Sequence, residues 1–75
     1  MQIKLYEARK QAKLSQEEVA DYLGISRVAY GKKERGQAPF QLEEMFALGT
    51  LLEKGLEEIF LPRSNQYGYN EKQNI

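Results

Sequence analysis

The segment from Ser15 to Gly36, SQEEVADYLGISRVAYGKKERG, constrains this chain more than any other. It contains two short stretches of helical period, each opened by a serine and each closed by a glycine. Ser15 and Glu18 have the S-x-x-E spacing of a capping box. In that motif the serine oxygen accepts from the Glu18 backbone N–H, and the Glu18 carboxylate accepts from the Ser15 N–H. Val19, Ala20 and Leu23 then fall on one helical face, and Gly24 supplies the left-handed conformation that stops the helix. Ile25 is an apolar plug in the turn, and Ser26 caps the next helix. There Ala29 and Tyr30 point inward, which leaves Arg27, Val28, Gly31 and Lys32 facing out. Gly36 ends it.

The rest of the chain supports that pair. Leu5, Ala8 and Ala12 recur at helical spacing and predict a first helix from about Ile3 to Ala12. Gln37-Ala38-Pro39 reads as a loop, with Pro39 at or just before a new helix. Leu42, Met45, Phe46, Gly49 and Leu52 continue the 3.6-residue period and predict a fourth helix. Leu56, Ile59 and Phe60 make a short fifth one, broken by Pro62. Leu5, Ala8, Leu14, Val19, Leu23, Ile25, Tyr30, Leu42, Met45, Leu52, Leu56 and Ile59 are the expected core. Residues 1–60 thus read as one all-α domain of five helices. Residues 61–75 read as a polar tail, mobile or ordered by a partner.

Seventy-five residues permit one small domain. The chain has no cysteine and no histidine, which excludes disulfides and thiolate metal sites and removes the commonest general base. No cofactor or metal is expected. No apolar run reaches the length of a membrane span and the amino terminus has no signal-peptide core, so a soluble, cytoplasmic protein is expected. Net charge is zero but unevenly spread. Through Gly36 eight cations face five acids, a balance of +3; beyond it three cations face six acids, a balance of −3. Such a dipole orients a chain on a polyanion, or is ordinary surface scatter. The cations at the end of the third helix suit its presentation to the major groove of DNA.

The chain resembles the Cro/C1-type helix-turn-helix family of phage and bacterial repressors, also called the XRE family. The likeness runs from Leu5 to Phe60. It rests on Arg9, Leu14-Ser15-Gln16-Glu17-Glu18-Val19-Ala20, Leu23-Gly24-Ile25-Ser26, Glu34-Arg35-Gly36, Pro39 and Leu56-Glu57-Glu58-Ile59-Phe60. It implies a compact lambda-repressor-like domain that binds double-stranded DNA, commonly as a symmetric homodimer. By matching position, Gln16 resembles the family glutamine that contacts a phosphate and braces the recognition helix. Arg27 and Val28 take the first recognition positions, with Lys32 one turn on. Arg9 and Glu34 match the family's ion pair between the first and third helices.

Each role has a plainer alternative. Arg27 can pair with guanine O6 and N7, worth roughly 1–3 kcal/mol of discrimination, or touch phosphate, or stay in solvent. Val28 can meet a thymine methyl or be a half-buried helix residue. Lys32 suits base and phosphate equally. Lys33 and Arg35 read as phosphate anchors, since positioning contacts outnumber reading ones; they also suit a helix C-terminus electrostatically. Gln16 is a phosphate contact or an exposed first-turn residue. Lys33 departs from the family, which has a large apolar residue there, so its stem is expected to snorkel over the core. Gly31 either permits close approach to DNA or is merely tolerated in the helix.

Three function classes compete. The first is a sequence-specific transcriptional regulator, a repressor by the resemblance. It would dimerise through an exposed Phe60-Leu61 edge or through Tyr67 and Tyr69. The second is an antitoxin-like module that holds a protein partner with its tail. An enzyme is disfavoured, because the adjacent pairs Glu17-Glu18, Glu43-Glu44 and Glu57-Glu58 splay apart on helices and read as solvated faces.

Overall fold

Capping chemistry written locally in the chain sets most of the helix boundaries. The structure, a computed structural model, describes residues 1–60. Five helices follow in order: α1 (Ile3–Gln11), α2 (Gln16–Leu23), α3 (Arg27–Glu34), α4 (Leu42–Leu52) and α5 (Leu56–Ile59). At α2 both halves of the capping box form, with Glu18 N–H donating to Ser15 Oγ at 3.0 Å and Ser15 N–H donating to Glu18 Oε1 at 2.8 Å. The same acid recurs one turn into later helices. Gln41 N–H donates to Glu44 Oε1 and Gly55 N–H to Glu58 Oε1, each at 2.8 Å. One member of each adjacent acidic pair is therefore a helix cap, satisfying a donor the helix itself leaves free.

The core draws on every helix. Leu5 and Ala8 of α1 meet Val19 and Ala20 of α2, Tyr30 of α3, Leu48 and Leu52 of α4, and Ile59 of α5. Leu14, Leu23, Ile25, Phe40, Leu51 and Phe60 close around them. Fully burying each large apolar side chain stabilises the fold by about 1.5–3 kcal/mol before entropy is counted. An aromatic chain runs along one side: Tyr30 and Phe40 pack edge to face at 6.0 Å, and Phe40 and Phe60 at 5.4 Å.

Two expectations fail here. The helix α4 forms, but it is rotated from the predicted stripe: Leu48 is fully buried while Leu42 and Phe46 stand 63% and 58% exposed. Phe60 is no exposed edge, because its ring is engaged with Phe40. Leu61, Tyr67, Tyr69 and the rest of the expected partner-binding tail, residues 61–75, lie outside the described residues. Among the described residues no helix is long and apolar enough to cross a membrane.

Candidate nucleic-acid interface

The turn between α2 and α3 decides where α3 points. Gly24 stands at φ 75°, in the left-handed region, and its N–H donates to Asp21 O at 3.1 Å. Ile25 N–H reaches back to Ala20 O at 3.0 Å, completing a Schellman stop. Ile25 then packs on the core, and three residues after the glycine, at Arg27, the chain is helical again. Ser26 Oγ accepts from Ala29 N–H at 3.0 Å, so α3 starts from a satisfied end. A turn this short leaves α3 no slack.

The inner face of α3 is locked by a buried network centred on Glu34. The Glu34 side chain is 1% exposed, and its two oxygens accept four hydrogen bonds. Arg9 Nε donates to Oε2 at 2.8 Å and Arg9 Nη2 to Oε1 at 3.0 Å. Tyr30 Oη donates to Oε2 at 2.8 Å, and Gln16 Nε2 to Oε1 at 3.0 Å. Arg9 also donates to Leu14 O at 2.8 Å and lies over the Tyr6 ring. Burial works to raise the Glu34 carboxyl, but bonds from Arg9, Gln16 and Tyr30 outweigh it and hold the group below the ordinary carboxylate range. Burial, then the bond to Glu34, pushes the Tyr30 phenol well above its usual value. Each lone pair has a partner, which is what a buried charge requires. The network ties α1, α2 and α3 into one frame.

The outer face is cationic and exposed. Arg27, Val28 and Lys32 are exposed, with Val28 at 61%. Arg27 sits at the first position of α3, where a cation opposes the helix dipole and costs folding about 0.3–1 kcal/mol. The described residues form two ion pairs, Arg9–Glu34 and Lys33–Glu44, and neither Arg27 nor Lys32 is in them.

Two residues, Lys33 and Gly31, are placed differently from expectation. Lys33 Nζ donates to both Glu44 oxygens, at 2.7 and 2.8 Å, with both side chains largely covered. Its charge is paired with Glu44 of α4, and it fastens α3 where an apolar stem was expected to snorkel. Glu44 is the residue that sequence reasoning missed; its i+3 spacing from Gln41 was the one signal available. Gln16 gives one amide hydrogen to Glu34, the brace that the resemblance implies, and keeps a second amide hydrogen beside the first-turn N–H groups of Gln16 and Glu17, the Glu18 N–H being taken by Ser15. Gly31 lies on the outward stripe yet is buried, because Arg35 and Gln16 fold over it. Arg35 itself is exposed beyond that point and bonds Gln37 only at a long 3.4 Å.

Comparison with known proteins adds the following. A family described as helix-turn-helix matches residues 5–59. Among solved structures, the restriction-modification controller protein C.AhdI from Aeromonas hydrophila is 37% identical. That match covers 76% of this chain and 83% of the other, with a TM-score of 0.67. Among curated proteins none matches.

Proposed function

The chain belongs to the helix-turn-helix family, of the Cro/C1 (XRE) type, and is a DNA-binding transcriptional regulator; we propose that it acts as a repressor by laying α3 along the major groove. The observation that carries this reading is the contrast between the two faces of α3. One is fixed by the Arg9–Glu34–Gln16–Tyr30 network; the other offers Arg27, Val28 and Lys32 to solvent with no ion pair among the described residues. Arg27 takes the role of guanine reader, Val28 meets a thymine methyl, and Lys32 reaches a base edge or phosphate. Gln16 and Arg35 flank them as phosphate contacts, placing the helix without reading sequence.

The working form is a homodimer. Leu42 and Phe46 lie one turn apart on the outer side of α4, more than half exposed, and a second copy related by a two-fold axis would cover them. The two α3 helices should then meet half-sites about 34–36 Å apart. The likeness to a restriction-modification controller makes the genes of such a system the first regulated targets to examine. Selection of bound duplexes from a random pool tests the reading: an inverted repeat is expected, and recovery of no consensus would remove it.

A further inference from the structure

The interior of α3 contains a glycine where nothing about the helix requires one. Gly31 has ordinary helical backbone, since only Gly24 and Gly36 among the described glycines stand at positive φ. A glycine there weakens the helix relative to alanine. What its missing side chain leaves is space. A Cβ at position 31 would lie 3.1 Å from Arg35 Nη1 and 3.4 Å from Gln16 Oε1. Arg27, Gly31 and Arg35 are spaced four apart, so they share one stripe of the outward face. The Arg35 guanidinium therefore runs back one turn along α3 into the gap. There it comes beside the carbonyl end of Gln16, whose nitrogen end is committed to Glu34.

We propose that Gly31 is a positioning residue for DNA binding, a side-chain-free seat that holds the Arg35 guanidinium on the outward face of α3 beside Gln16. The inference rests on the groove-binding reading above and adds to it how one phosphate grip is assembled. Without the seat, Arg35 at the end of α3 trails into solvent. With it, the charge sits between the start of α2 and the end of α3, where a phosphate flanking the groove is met by a cation and by α2 N–H donors together. Alanine at position 31 would displace the flexible end of Arg35 by a few tenths of an ångström and leave the backbone undisturbed.

The effects on folding and on binding therefore carry opposite signs. Gly31→Ala should keep or raise the thermal midpoint, because helix propensity improves. The probe is a fluorescein-labelled duplex of the sequence that the wild-type protein selects from a random pool, titrated by anisotropy across a salt series. Gly31→Ala should bind it more weakly, with the slope of log K against log salt shallower by up to about 0.9, the value for one whole phosphate contact. Arg35→Ala should lose that whole contact, and Gly31→Ala in the Arg35→Ala background should lose nothing more. A Gly31→Ala penalty that persists undiminished in that background would mean a methyl clash with DNA and would overturn the proposal. An unchanged salt slope in Gly31→Ala also overturns it while leaving the groove-binding reading intact. Failure of the wild-type protein to select any duplex removes both.

Discussion

The Lys33 ammonium lies 2.7 and 2.8 Å from the two carboxylate oxygens of Glu44, joining the last turn of α3 to the first turn of α4. Glu44 also accepts the Gln41 N–H at the start of α4, so one carboxylate serves as helix cap and as ion-pair partner. The helix proposed to face DNA and the helix that exposes Leu42 and Phe46 are thereby pinned to each other. Lys33→Met should cost about 1–3 kcal/mol of stability, because the pair is largely covered. It should leave the salt slope of duplex binding unchanged, whereas Lys32→Ala should lower it if Lys32 meets phosphate. Denaturant unfolding and salt-dependent anisotropy on the two variants separate the roles.

Arg9 gives the larger stability effect. Removing it leaves Glu34 buried with two of its four hydrogen bonds gone. Arg9→Ala should cost about 3–5 kcal/mol, a large share of what a small domain has. Pairing Arg9→Met with Glu34→Met should recover part of that loss, since no charge is then stranded. Urea unfolding of the single and double variants measures the coupling.

The acid limb of stability follows from the same carboxylates. Glu34 and Glu44 are both held below the ordinary value of 4.5 in the folded chain. For Glu44, burial pushes upward and bonds from Lys33 and the Gln41 backbone prevail. Protons therefore bind the unfolded chain first, and stability falls as they do. Unfolding free energy should be flat from neutrality down to about pH 5 and drop below it. Glu44→Gln should flatten part of that drop.

The exposed pair on α4 predicts assembly. Phe46→Lys should turn the proposed dimer into a folded monomer in sedimentation equilibrium, with helical circular dichroism retained. Duplex affinity should fall as half the contacts are lost. A Phe46→Lys protein that still sediments as a dimer would place the interface elsewhere.

How far the sequence could be read depended on how local each signal was. Ser15, Glu18, Gly24 and Ser26 act within four residues of themselves, so spacing alone identified their bonds. The facing of α4 was not local. LEEMFALGTLL is apolar on more than one side, and the 42, 45, 46, 49, 52 stripe fits the helical period as well as 45, 48, 52 does. Only the positions of the other helices select Leu48, leaving Leu42 and Phe46 in water. Lys33 read as a spare cation because its partner is eleven residues away. Gly31 read as open because a helical wheel does not show a long side chain folding back from the next turn.

The proposed groove reading rests most directly on the role it gives Arg27, contact with a base from the start of α3. The direct measurement repeats the random-pool duplex selection with Arg27→Ala. An inverted repeat that loses its information at one base of each half-site, with affinity for the wild-type sequence lower by about 1–3 kcal/mol, is the predicted result. A consensus identical to that of the wild-type protein contradicts it.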